Sequence, residues 1–206
     1  MKKIISLVMV LAMCVCVLAA CSNKNPKETE PQVVKVFELE NEKITAENIS
    51  PAEGVYTMTF TNTGDKAIQN AQIVFGDGTQ ELMFQFEMLP VGQTITVAEL
   101  EEITVAAEEL KHIDSNISYL EAGLENPDSV EVTGVEDGMV QVKNITEEVL
   151  PLVRVFYRQT DDNGNMIGGA CDSVLVDGIA PGETAQVEAE NWNSSCVVVT
   201  VLVINQ

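Results

Sequence analysis

The chain has 206 residues, 46% of them hydrophobic, and sets 11 basic residues against 32 acidic ones for a net charge of −21. That balance excludes nucleic-acid binding, which draws its affinity from Lys and Arg neutralising phosphates, and it disfavours adhesion to anionic lipid headgroups. The acids are spread along the chain and form no single block, so they read as a solvated, self-repelling surface whose electrostatically matched partners are cationic groups or divalent ions.

At the N-terminus, Lys2 and Lys3 precede an apolar stretch over residues 4–17 interrupted only by Ser6, and Ala19 and Ala20 place small side chains before Cys21. These regions together predict a secretory signal over residues 1–20. The apolar stretch is shorter than the about 20 residues that a membrane-spanning helix needs. The run Leu18, Ala19, Ala20, Cys21 resembles the lipobox of bacterial lipoproteins. The resemblance implies that the Cys21 thiol receives a diacylglyceryl group and that the signal is cut before it, so that Cys14 and Cys16 leave with the peptide. The protein is then extracytoplasmic, held on the cell membrane of a bacterium by the two buried chains that stable anchoring requires. The plainer alternative is an ordinary signal that happens to end before a cysteine. Residues 21–32 are polar, with two Pro and no large apolar side chain, and predict a flexible tether.

Beyond the tether the periodicity favours strands. Tyr56, Met58 and Phe60 alternate on one face, as do Val140 and Val142, and each run ends in an Asn, Asn62 or Asn144, followed by a turn. A second apolar strand follows each time, residues 71–75 and 153–157, and after it a Gly-containing turn, residues 76–78 and 162–165. The run Pro90-Val91-Gly92-Gln93-Thr94 is then matched by Ala180-Pro181-Gly182-Glu183-Thr184, each leading into a strand, residues 95–97 and 185–187. From Asn62 to Asn144 and from Phe75 to Tyr157 the offset is 82; from Gly92 to Gly182 it is 90. Four correspondences in one order indicate an internal duplication, with eight residues inserted in the second copy. Short strands with regular turn signals predict an all-β chain of two tandem immunoglobulin-like antiparallel β-sandwich domains, over residues 33–122 and 126–206. Residues 98–111, rich in Ala and Glu with Leu100, Ile103, Ala107 and Leu110 at helical spacing, predict a short helix or an acidic loop before a last strand over 113–120. The C-terminal run 196–204 is apolar on both faces and belongs in mid-sheet or against a neighbour, such as the other domain.

The second half, with Val153-Arg154-Val155-Phe156-Tyr157, Asn163-Gly164, Ile167-Gly168-Gly169 and Ala180-Pro181-Gly182-Glu183-Thr184, resembles the FxLYD-type immunoglobulin-like domains of lipoproteins in Gram-positive bacteria. The resemblance covers residues 130–203, and the first half more loosely. It implies a small extracytoplasmic β module without catalytic residues and without a cofactor.

Chemistry-bearing motifs are sparse. His112 is the only histidine, which rules out a multi-histidine metal site, and it reads as a surface residue. No Gly-x-Ser-x-Gly elbow or phosphate-cradling loop is present, and no enzyme activity is expected. Asp161, Asn163 and Asn165 alternate hard oxygen donors as a calcium loop does, or else form a tight Asn-Gly turn. Trp192 among polar residues is either a stacking anchor for a ligand or a ring folded over the end of a sandwich. Cys171 and Cys196 are either joined, a bridge worth about 3 kcal/mol, or separate buried thiols. The expected function is therefore that of a lipid-anchored envelope protein presenting two non-catalytic modules to an envelope protein or small ligand. The alternatives are an accessory or solute-binding subunit of a transport system, and an acidic surface that binds divalent cations.

Overall fold

The computed structural model describes residues 35–39, 43–52, 55–99, 105–106, 108–121, 124–136, 138–162 and 164–204, with the backbone alone for 48–52 and 55. The signal, Cys21, the tether and Asn163 lie outside the described residues. Residues 32–206 form one compact unit.

The first sandwich is built from β1 (Phe37–Leu39), β2 (Ile44–Ala52), β3 (Val55–Asn62), β4 (Ile68–Gly76), β5 (Glu81–Leu89), β6 (Thr94–Glu99) and β7 (Lys111–Tyr119). The second uses β8 (Val130–Glu136), β9 (Met139–Asn144), β10 (Leu150–Gln159), β12 (Asp172–Ile179), β13 (Thr184–Glu188) and β14 (Cys196–Val203), with the short β11 (Met166–Ile167) between β10 and β12. One sheet of the first sandwich runs β1-β2-β3-β6 and the other β5-β4-β7; in the second the sheets are β8-β9-β13 and β12-β10-β14. The pairings within each sandwich are antiparallel. The protein is all-β, its antiparallel sheets packed as β-sandwiches around two cores.

Strand for strand, β2-β3-β6 facing β5-β4-β7 recurs as β8-β9-β13 facing β12-β10-β14. The duplication extends to atoms. Asn62 and Asn144 are both fully buried. Asn62 Nδ2 donates to the carbonyls of Lys66 and Leu89, both at 2.9 Å, and Asn144 Nδ2 to those of Glu148 and Ile179 at 2.7 and 2.9 Å. Their Oδ1 atoms accept from the backbone of Gly64 and Thr146. Each Asn therefore staples two turns that a sheet ladder leaves unpaired, which is why a polar side chain is retained in a core. Their carbonyls accept from Gly92 and Gly182, which hold φ of 74° and 72° in matching turns. Only Gly adopts that φ without strain. A β-bulge repeats as well, between Val74 and Phe75 and between Phe156 and Tyr157.

The first core is aromatic: Phe60 stacks within 5.0–6.5 Å of Phe86, Phe84 and Phe75. The second is aliphatic, with Val140, Val142, Val153, Val155 and Val201 around Tyr157, whose hydroxyl donates to the Glu190 carbonyl. The described residues of 98–111 form no helix. Ala98 and Glu99 complete β6, Lys111 opens β7, and the described residues between include a turn closed by Glu109 N to Ala106 O. Leu110, one of the four positions at helical spacing, is buried in the first core together with Val105, while Leu100, Ile103 and Ala107 lie outside the described residues. The C-terminal strand β14 is a sheet edge, not a central strand. Its cover is local: Asn126 N donates to Val201 O, Glu125 bridges Leu202, and Leu202 packs against the first sandwich, while Val197 and Val198 stay exposed.

Candidate binding site

The eight inserted residues explain the offset change from 82 to 90. In the first copy β4 passes to β5 through a short turn, residues 77–80, with the Asp77 carboxylate accepting from Thr79 and Gln80. In the second copy the corresponding connection between β10 and β12 leaves its own sandwich and clasps the other one. Met166 and Ile167 pair in parallel with Ile95 and Thr96 of β6, Gly168 N donates to Thr96 O, and Glu87 N donates to Gly169 O. Met166 is buried within the first core. Gly169 lies so close to the Gln85 carbonyl that no Cβ fits there.

Arg158, at the end of β10, rivets this clasp. It is 2% exposed and donates to the carbonyls of Gly168 and Glu87. Burial pushes its pKa below the ordinary guanidinium value, and the neighbouring Cys171 and Glu87 partly restore it. Its Nε has no partner among the described residues. Beside it, burial pushes the Cys171 thiol above its ordinary value although Arg158 pulls the other way, so Cys171 is held protonated, unlike a redox nucleophile. A third apolar cluster, Ala67, Met88, Leu120, Phe156 and Leu202, completes the junction.

Next to the clasp, a cleft of about 590 Å³ opens on the outer face of β5-β4-β7. Its floor is a small lattice of hydrogen-bonding side chains. Gln72 on the central strand lies in register with Gln85 on one side and Asn116 on the other, and Asn70 with Glu87 and Ser118. Gly169 and Ala170 of the clasp form one wall. Gln72 and Gln85 direct their Nε2 donors at Met83 Sδ, at 2.6 and 3.7 Å, a weak acceptor. Asn70, Asn116 and Ser118 make no side-chain hydrogen bond among the described residues. Among the described residues no Lys or Arg lines the cleft.

The residues singled out from sequence do not assemble there. Asp161 Oδ1 accepts from Asn165 N at 2.8 Å and Oδ2 from Asn165 Nδ2 at 3.0 Å, so both carboxylate oxygens are engaged across the turn. Among the described residues no three His, Cys, Asp or Glu side chains group to hold a metal. Trp192 is half-buried, its ring 5.2 Å from Tyr157 and pressed on Gly134, closing the end of the second core. Cys171 and Cys196 are free thiols. They stand on either side of β10, before β12 and on β14, so two strand spacings of about 4.8 Å put their backbones beyond the roughly 7 Å a bridge tolerates. His112, expected on the surface, is half-buried: it pairs with Phe75, its ring 5.8 Å away, and its Nε2 is buried. The cleft residues carried no signal of their own in the sequence, because polar residues alternating on a strand are what any solvated face shows.

Fold and surface together define a tandem β-sandwich unit with a polar cleft beside its junction, a second cleft of about 650 Å³ lined by Ser173, Leu175, Glu188 and Glu190, and no metal cluster among the described residues. In comparison with known proteins, no family model matches the chain and no curated protein matches it.

Proposed function

We propose that the protein is a lipid-anchored, extracytoplasmic binding module of a bacterial envelope, tethered through Cys21, with its ligand seated in the cleft on β5-β4-β7. The lipobox-like run before Cys21 and the polar segment 21–32 support the placement, and the likeness of the second half to FxLYD-type domains supports a non-catalytic role. The observation that carries the reading is the coupling of the sandwiches: a clasp from one holds the edge of the other and walls a cleft of underused amides. A rigid, preformed surface loses little entropy on binding. The test uses the full lipidated chain in lipid nanodiscs, incubated with envelope fragments of its host. The double variant Gln72→Ala, Asn116→Ala should lower retention at least tenfold while the melting temperature holds. Retention equal to that of the unaltered protein would remove the cleft from the function.

A further inference from the structure

The two copies use one face in opposite ways. In the second sandwich, the row equivalent to Gln85, Gln72 and Asn116 is Leu175, Arg154 and Leu202, as the strand registers require. Phe156 and Leu202 on that face are buried against the first sandwich. In the first sandwich their equivalents are Val74 and Asn116, and the face is open. Of the two positions that dock in the second copy, one is an exposed amide in the first, Asn116, and the other is Val74, while Leu175 and Arg154 of the same row are exposed in the second copy too.

Resting on the reading of the cleft as the binding site, we infer that its ligand is an uncharged, hydroxyl-rich saccharide chain. The floor is a sheet face whose central strand β4 is paired on both sides, so the backbone of the floor itself is not free to add a peptide strand. A ligand there is held by side chains alone. Those side chains are amides, a hydroxyl and the Glu87 carboxylate, spaced about 4.8 Å across strands and about 6.8 Å along them. Each amide offers donors and an acceptor, so the matched ligand presents many small groups that both donate and accept, as sugar hydroxyls do. The lack of Lys and Arg in the lining, within a chain of net charge −21, turns away phosphorylated or uronic-acid polymers. Val74 and the exposed Met83, in the adjoining row, give an apolar strip for the C–H face of a sugar ring.

The experiment measures binding of the full chain in nanodiscs to soluble neutral polysaccharides (a glucan, a galactomannan, a chitin oligomer) and to polygalacturonate and an unrelated peptide library as counter-probes. At least one neutral saccharide should bind. Gln72→Ala with Asn116→Ala should weaken it at least tenfold, Leu175→Ala on the equivalent face of the second sandwich should leave it unchanged, and polygalacturonate should not bind. If no neutral saccharide binds, or binding is indifferent to the cleft variant, the inference is overturned. Cleft-dependent binding of peptides alone would overturn the saccharide while leaving the cleft as the site. Cleft-independent retention on envelope fragments would overturn the site itself.

Discussion

Truncating Met166 to Ala should destabilise the sandwich to which it does not belong in sequence. Met166 follows β10 of the second copy, yet its side chain is 6% exposed inside the aromatic core of the first. Core Met→Ala changes cost about 2–5 kcal/mol, the sum of lost transfer energy and a residual cavity. The site lies at the end of a sheet, beside a strand of two residues that has room to settle inward, so the lower half applies, about 2–3 kcal/mol. In a unit of this size that lowers the melting temperature by about 5–10 °C. Hydrogen exchange followed by mass spectrometry locates the effect. Amides of β3, β4 and β6 that exchange through global opening should accelerate by about 30- to 150-fold, at tenfold per 1.4 kcal/mol. A loss under about 0.5 kcal/mol, or acceleration confined to residues 130–203, would refute the clasp as a structural element of the first core.

Asn62→Ala and Asn144→Ala should each cost about 1–3 kcal/mol in urea denaturation, since each leaves one buried and one part-buried carbonyl without its donor. Asn→Asp should not rescue either site, because a carboxylate has no N–H to give. Tyr157 is pushed up to about 12, first by burial and then by Asp172 nearby. Its folded pKa exceeds the unfolded value of about 10, so the stability it contributes is intact below pH 10 and lost between about 10 and 12, as the unfolded phenol ionises first. Absorbance titration at 295 nm should show a late component that Tyr157→Phe removes, and complete ionisation by pH 11 would contradict it. Cys171 and Cys196 should both react with maleimide in unfolded, unreduced protein, with a melting temperature insensitive to reductant. Gly134→Ala places a Cβ 2.6 Å from Trp192 Nε1, so the indole must move, red-shifting its emission at a cost of about 1–3 kcal/mol.

Local periodicity made the sandwiches legible. Tyr56, Met58 and Phe60 are inward on β3, as Val140 and Val142 are on β9, because a strand with one buried face must alternate. The duplication was legible because its markers, Asn62 with Asn144 and Gly92 with Gly182, each answer a local backbone demand. The clasp was not legible. The Asn-Gly run at 163–164 marks a turn whatever follows it, and nothing near Met166 in sequence says that its partner strand lies some seventy residues back in the other copy. His112 was misplaced for a related reason. The bulge opposite Val74 and Phe75 sets its ring against Phe75, and a bulge is a property of the pair of strands, not of one.

The departures from the repeat converge on the junction. Position 88 corresponds to Gly178, and both residues adopt a left-handed φ, 47° and 57°. Glycine takes that conformation freely, whereas Met88 takes it at a cost of about 1–2 kcal/mol. The turn breaks the alternation of β5, so that Leu89 completes the first core while Met88, 4% exposed, swings into the cluster with Phe156 and Leu202. Burying a Met side chain contributes about 1.5–3 kcal/mol, enough to offset the strain. Met88, the inserted clasp and the buried Arg158 all lie where the copies differ and where they meet. The face left open, where Gln72 and Asn116 replace Arg154 and Leu202, differs between the copies without being used for docking. At Gln72, whose counterpart Arg154 is exposed, the departure is not one that the junction requires.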